Sequence, residues 1–156
     1  MDLKIRKAGK KDIARVFSLV LELADYEKKP EQVKINGKQF LSDYLDGDAF
    51  DVLVAESNKN IIGFALYYPV YSTWKGKSLF LHEFFVKEKF RRAGVGAKLF
   101  ERVLVEAKKR KVGRVEWLVY RWNEPAINFY KKYGVKIDYE LLRCELERQQ
   151  LEKMKL

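Results

Sequence analysis

The sequence predicts a single α/β domain, built on a mixed, mostly antiparallel sheet that is flanked by helices. Two observations indicate this fold class. Two β-rich runs, FDVLVAE and IIGFALYYPV, flank the short turn SNKN, as the strands of a hairpin do. From residue 78 to residue 134, a strand, a glycine loop, a helix, a strand and a helix follow one another. A crossover helix between two strands lets them pair in parallel, so the predicted sheet is mixed.

The first half of the chain supplies most of the predicted strands. DLKIRKA alternates in polarity and predicts a first strand. Apolar residues at helical spacing from Asp12 predict a first helix, and a short second helix is expected from Asn36. SLFLHEFFV is apolar almost throughout, which is typical of a central strand.

The second half alternates between helix and strand. The residues after Gly96 carry a helical pattern, and GRVEWLVY then predicts a strand. NEPAINFYKKYG has the signals of a helix, with Asn123 as a cap and a glycine as its stop. YELLRCEL predicts a last strand, and a charged terminal helix is expected after it.

The composition fits one globular domain over residues 1–156. The chain is 47% hydrophobic and 35% charged, which is typical of a folded soluble protein. It shows neither a signal-peptide core nor a membrane-length apolar run, so we expect no membrane span. Cys144 is the one cysteine, which excludes an internal disulfide and a cysteine-based zinc cluster. We therefore expect a cytoplasmic protein without a metal.

The net charge of +10 fits either an anionic partner or a solvated surface rich in lysine and glutamate, and charge alone does not choose between them. The loop Arg91–Gly96 offers a place for an anionic partner. Unpaired N–H groups at a helix N-terminus attract phosphate, and glycine lets a ligand approach the backbone closely. The loop reads neither GxGxxG nor GK[ST], so a Rossmann site and a P-loop are disfavoured. Glycine also occurs in such turns merely to reverse the chain, and the loop alone leaves both interpretations open.

Three segments in fixed order carry a family resemblance: FALYYPVYSTWKGKSLFLHEFFV, the arginine–glycine loop, and LVYRWNEPAINFYKKYG. Together they resemble the GNAT acetyltransferase superfamily, whose loop reads R/Q-x-x-G-x-G/A. They are most similar to its diamine (spermidine/spermine) and thialysine N-acetyltransferase branch, and WNEPAINFY is the most specific stretch. The resemblance implies a sheet splayed open between its fourth and fifth strands, with acetyl-CoA in the gap.

The resemblance also implies an activity, a co-substrate and an assembly. The expected reaction transfers acetyl from acetyl-CoA to a primary amine of a small molecule, such as a diamine, a polyamine or a thialysine- or lysine-like amino acid. The amine attacks directly within a ternary complex, in an enzyme expected to be a homodimer. The positions that match the family's coenzyme A contacts are Phe84, Phe85, Val86, Arg91, Arg92, Ala93, Gly94, Val95, Gly96, Asn123 and Tyr130.

Three residues are candidates for catalysis. Tyr130 matches the family tyrosine that acts as general acid toward the leaving sulfur. Glu83 keeps a family acid, whereas His82 replaces a glutamate. The reference pKa of histidine, ~6.5, suits a base at neutral pH, and the alternative is a histidine that takes no part in the chemistry. Neighbouring strand residues face opposite sides, so only one of the two acts on a given face unless a bulge intervenes.

Tyr26, Glu27, Trp74 and Glu83 are the candidate contacts to the acceptor amine. Ser72 and His82 stand where the resemblance places acids in polyamine enzymes, which weakens a spermine assignment and leaves room for a mono-amine or an amino-acid side chain. Acetylation of a protein N-terminus or lysine is an alternative, as is an acetyl-CoA-binding protein without turnover. A basic nucleic-acid-binding module ranks below these, because no nucleic-acid motif is visible.

Overall fold

The computed structural model describes residues 2–155, so Met1 and Leu156, the ends of the predicted domain, lie outside the described residues. The chain divides into two compact units, of which the first ends at Leu118 and the second begins at Val119. No helix in the described range is long and apolar enough to cross a membrane.

The first unit contains a five-stranded sheet in which sequence neighbours pair in the order β1-β2-β3-β4-β5. The strands are β1 (Leu3–Lys7), β2 (Asp51–Ser57), β3 (Asn60–Ser72), β4 (Gly76–Val86) and β5 (Arg114–Glu116). The first three pairings are antiparallel, and β4 pairs with β5 in parallel. The predicted mixed, mostly antiparallel sheet is therefore confirmed. The predicted hairpin turns at Asn58 and Lys59, both of which have positive φ, as a tight two-residue turn requires.

Helices cover both faces of this sheet. They are α1 (Ile13–Tyr26), α2 (Gly37–Leu45) and α3 (Val95–Lys109). One core cluster joins α1 and α2 to strand residues that include Phe64, Leu66 and Phe85. Phe84, the strand neighbour of Phe85, packs edge-on against Phe100 of α3, with ring centroids 5.9 Å apart. Adjacent strand residues point to opposite faces, so α3 covers the face opposite α1.

The pairing of β4 with β5 is short. It covers Ser78↔Arg114, Leu79↔Val115 and Phe80↔Glu116. The strand predicted over GRVEWLVY was therefore too long, because in the described chain it is paired only at Arg114–Glu116. From Leu81 to Val86, β4 faces no described residue of β5. The sheet thus opens between its fourth and fifth strands, as the family fold predicts.

The second unit contains α4 (Glu124–Lys131) and α5 (Arg148–Lys153), which match the two predicted helices. The strand predicted over YELLRCEL was wrong, because residues 139–146 form no strand. Leu141 and Leu142 are 77% and 83% exposed. The apolar pattern that favours a strand is present there, but no neighbouring strand pairs with this segment in the described chain.

Candidate active site

A β-bulge in β4 brings the two candidate bases to one face of the sheet. Leu66 of β3 pairs with Glu83, but the next residue, Tyr67, pairs with Leu81, so His82 is the extra residue. Nε2 of His82 lies 3.7 Å from Oε1 of Glu83. Simple alternation would have separated these side chains across the sheet, and the bulge removes that obstacle. Both therefore lie on the face that α1 covers.

Tyr68 of β3 holds His82 from the other side. Its hydroxyl lies 3.1 Å from Nδ1 of His82. The two rings are 5.7 Å apart, and Phe80 packs against both of them. His82 is exposed, whereas Tyr68 and Glu83 are half-buried. A carboxylate, an imidazole and a phenol thus form one group of proton-carrying side chains at the surface of β3 and β4.

The N-terminus of α3 is shaped as the arginine–glycine motif predicts. Gly94 is the N-cap residue, with φ of +77° and no side-chain cap. Arg92 also has a positive φ, of +63°, so the loop turns twice through left-handed backbone. A Cβ added at Gly94 would meet no atom within 4 Å, which leaves the mouth of the helix open. These first N–H groups suit an anionic ligand.

Arg91 contacts the protein rather than the open mouth of α3. Its Nε donates to the carbonyl of Val86 at 2.8 Å. Its guanidinium stacks over the ring of Tyr26 at 4.6 Å and near the ring of Phe85 at 5.5 Å. Lys87 is likewise held by Glu22 of α1 at 3.1 Å. The loop before α3 is therefore tied to α1 by two cationic side chains.

The backbone of β4 offers donors at the opening of the sheet. The N–H of Lys87 donates to Ile62 at 2.9 Å, toward β3. Backbone groups alternate in direction along a strand, so the N–H of Phe85 also points toward β3. The N–H groups of Phe84 and Val86 then point to the opposite edge. The accepting carbonyl of Val86, which Arg91 reaches, lies on that same edge.

The predicted substrate contacts are spread over separate places in the first unit. Tyr26 ends α1 beneath Arg91, and Glu27 follows it directly. Burial raises the pKa of the Glu27 carboxyl, although nearby Lys29 opposes this effect. Trp74 lies at the tip of the β3–β4 hairpin and is 87% exposed. Ser72, which replaces a family acid, accepts hydrogen bonds from the backbone of Trp74 and Lys75 and so shapes the turn.

The second unit holds the remaining two candidates. Asn123 caps α4, because its Oδ1 accepts from the N–H of Ala126 at 3.3 Å. Tyr130 lies about two turns later in the same helix and is 6% exposed, with its ring edge-on to Phe129. Burial raises the pKa of the Tyr130 phenol well above its ordinary value. The phenol therefore stays protonated at neutral pH, as a general acid must.

The structure brings His82 and Glu83 together, and it joins Tyr26 to Arg91, whereas Trp74 stands at the hairpin tip. Tyr68 is the residue that sequence reasoning missed. Its place on the α1 face follows from alternation with Leu66, but its meeting with His82 depends on the bulge. In the described part of the chain, no group of three or more His, Cys, Asp or Glu side chains is placed to hold a metal ion.

Comparison with known families identifies the chain. The model of the Acetyltransferase (GNAT) family matches residues 15–135, a range that begins in the first unit and ends in the second. The chain belongs to the GNAT acetyltransferase family. It is accordingly an acyl-transferring enzyme, an N-acetyltransferase that uses acetyl-CoA as co-substrate. The choice between an enzyme and a nucleic-acid-binding module is thus decided in favour of the enzyme.

Named relatives fall in the branch that the sequence resembles. The chain is 32% identical to the thialysine N-epsilon-acetyltransferase of Sus scrofa, over 85% of this chain and 83% of the relative. It is 38% identical to an L-ornithine N5-acetyltransferase of Arabidopsis thaliana, over 70% of this chain and 43% of that relative.

Among solved structures, an aminoglycoside acetyltransferase from a soil metagenomic sample superposes with a TM-score of 0.78. Its sequence is 15% identical, and the match covers 93% of this chain and 95% of that one. An integron cassette protein of V. cholerae matches with a TM-score of 0.77 and 22% identity, over 98% and 97% of the two chains. These likenesses confirm the fold.

The residues at the mouth of α3 fit the coenzyme A pyrophosphate. Arg92, Ala93 and Gly94 are exposed, and no described side chain caps the helix there. The open space beyond Gly94 would be filled by any larger side chain. In this GNAT enzyme, an anionic group could therefore approach the N–H groups of the loop without displacing a described side-chain cap.

Proposed function

We propose that this GNAT enzyme transfers acetyl from acetyl-CoA to a primary amine on a small molecule, and that a lysine-like or ornithine-like amino acid is preferred over spermine. The proposal is supported chiefly by the match to thialysine and ornithine acetyltransferases over most of the chain. The loss of acids at Ser72 and His82 removes two negative charges that an extended polycation would need. Diamines and polyamines remain weaker candidates within the same substrate class.

The cofactor role of the loop is a proposal that its geometry supports. The N–H groups of Arg92, Ala93, Gly94, Val95 and Gly96 would hold the pyrophosphate, and Arg91 would fix the loop by its contacts to Val86 and Tyr26. Asn123 would contact the coenzyme A arm while it caps α4. The same family match over residues 15–135 supports the proposal that the whole chain acts as one domain.

Acetyl-CoA supplies an activated acetyl group, so this chain needs no covalent acetyl-enzyme. The N–H groups of Phe84 and Val86, which point to the open edge of β4, would polarise the thioester carbonyl, with Phe85 holding the strand on the core side. His82, with Glu83 beside it, would accept the proton of the acceptor amine. Tyr130 would return a proton to the leaving sulfur.

Tyr26, Glu27, Trp74 and Glu83 would line the path of the amine. Glu27 is half-buried, so its carboxylate would interact more strongly with an ammonium than an exposed acid does. On family resemblance we also propose a cytoplasmic homodimer, which light scattering at micromolar concentration tests directly. A monomer in that measurement would contradict the proposed dimer, and it would not bear on the proposed reaction.

A panel of acceptors tests the proposed function. Each acceptor is incubated with acetyl-CoA, and the release of free thiol is followed. The acceptors are lysine, thialysine, ornithine, spermidine, spermine and a peptide with a free N-terminus. We expect the highest kcat/KM for a free amino acid with a side-chain amine. Activity on the peptide alone would identify a protein acetyltransferase instead, and acetyl-CoA binding without any transfer would identify a non-catalytic binder.

A further inference from the structure

The contact between Tyr68 and His82 is built into the sheet. The hydroxyl of Tyr68 lies 3.1 Å from Nδ1, and the two rings are tilted by 38° at 5.7 Å. Phe80 stacks on Tyr68 at 5.5 Å and lies 5.9 Å from the His82 ring. Ring packing therefore fixes the hydroxyl at Nδ1, and the bulge in β4 fixes the imidazole opposite it.

The other ring nitrogen faces a different kind of partner. Nε2 lies 3.7 Å from Oε1 of Glu83. A carboxylate carries only lone pairs, so it attracts an N–H at Nε2 and repels a lone pair there. A phenol can donate, so it pairs with a lone pair at Nδ1. The two neighbours together favour one neutral tautomer, with the proton on Nε2 and the lone pair on Nδ1.

We propose that Tyr68 positions the His82 ring, and that it makes Nδ1 the atom that accepts a proton during acetyl transfer. This inference rests on the proposed function, in which His82 takes the proton of the acceptor amine. Because the Tyr68 hydroxyl occupies the lone pair of Nδ1, the hydroxyl gives its own proton to Nδ1 and takes one proton from the amine nitrogen. The hydroxyl oxygen then accepts from the new N–H at Nδ1, and the imidazolium faces the Glu83 carboxylate.

The titratable groups that the structure shows against the ring include Tyr68 from β3 and Glu83 from β4. Their effects on His82 are separable. Glu83 acts through its charge, which favours the imidazolium over the neutral ring. Tyr68 is neutral and acts through one hydrogen bond. Removal of its hydroxyl should therefore change the chemical shift of Nδ1, which loses its hydrogen-bond donor.

His82 is the only histidine in the chain, so its ring nitrogens give the only imidazole signals in ¹⁵N NMR. In the unliganded protein we expect the neutral ring to carry its proton on Nε2. In Tyr68→Phe the Nδ1 resonance should move toward that of an imidazole nitrogen without a donor. Tyr71→Phe removes a phenol that is 75% exposed on the same strand, and it should leave both signals in place.

The same variants are then compared in acetyl transfer. Tyr68→Phe should lower kcat/KM by roughly 3- to 10-fold, the effect of one neutral hydrogen bond, and should leave the KM for acetyl-CoA unchanged. A wild-type ring protonated on Nδ1, or an Nδ1 resonance identical in wild type and Tyr68→Phe, overturns the inference even if the enzyme is active. Absence of transfer to every amine overturns the proposed function instead, because the NMR result does not depend on turnover.

Discussion

The guanidinium of Arg91 lies 4.6 Å above the ring of Tyr26, while its Nε donates to the carbonyl of Val86. One side chain thus joins the end of α1, the end of β4 and the loop that precedes α3. The arginine that the motif presents as a phosphate ligand is already used to hold the loop in shape. A structural effect and a binding effect of this residue should therefore be separable.

Replacement of Arg91 by lysine keeps the charge but loses the planar fork and its stacking. The cation–π contact and the hydrogen bond each contribute on the order of 1 kcal/mol. We expect Arg91→Lys to lower the free energy of unfolding in urea by about 1–2 kcal/mol. Arg92→Lys, at an exposed site in the same loop, should change it by less than about 0.5 kcal/mol. Equal effects of the two substitutions would contradict the assignment.

Gly94→Val tests the pyrophosphate site, and Gly47→Val is its matched control. Both glycines have positive φ, +77° and +82°, and a Cβ at either would meet no protein atom within 4 Å. Both variants should therefore lose stability by a similar amount through backbone strain. Gly94→Val alone should raise the dissociation constant of coenzyme A strongly in calorimetry. If both variants bind coenzyme A like the wild type, the loop is not the phosphate site.

Tyr130→Phe keeps the buried ring and removes only the proton donor. We expect kcat to fall by roughly 10²–10⁴-fold while acetyl-CoA affinity barely changes. Because burial raises the pKa of this phenol, its deprotonation should cause no loss of activity below pH ~10. Single-turnover rates check the first expectation, and the alkaline limb of the pH profile checks the second. A near-normal single-turnover rate in the variant would show that Tyr130 serves packing rather than catalysis.

Tyr67 and Tyr44 offer opposite outcomes for the same substitution. Tyr67 is fully buried, its hydroxyl has no hydrogen-bond partner, and burial raises its pKa to about 12. Tyr44 donates to the carbonyl of Ala8 at 2.8 Å. Tyr67→Phe should be neutral or raise the Tm, whereas Tyr44→Phe should lose about 1 kcal/mol. Thermal melts of the two variants decide this, and a loss of similar size in both would show that the Tyr67 hydroxyl is paired.

Local patterns predicted the elements that depend on local physics. The cap at Asn36 accepts from Gln39, and the cap at Asn123 accepts from Ala126, each where the sequence places a helix start. The strands of the β2–β3 hairpin follow from alternation and a two-residue turn. The secondary-structure predictions failed where an element needs a partner that is distant in the sequence. The segment at Leu141 has strand-like composition, yet propensity does not supply a sheet edge for it.

The candidate site was predictable in its residues and not in its geometry. The family motif named His82 and Glu83, but alternation along β4 predicts that they face opposite sides. The register between β3 and β4 shifts at Leu66 and Tyr67, and this shift depends on packing across the whole sheet. Tyr68 enters the site for the same reason. The local sequence gives no signal for such a bulge, because the bulge depends on how the two strands align with each other.

His82, which the bulge brings beside Glu83, is proposed to accept the proton of the acceptor amine. The pH dependence of kcat/KM tests it most directly, measured with acceptors of different amine pKa. A histidine base works only when neutral, so kcat/KM should rise with pH in a limb between pH ~5 and ~8 that does not move with the acceptor. His82→Gln should remove that limb and slow the reaction. A limb that persists in His82→Gln, or a wild-type profile without one, would contradict the account.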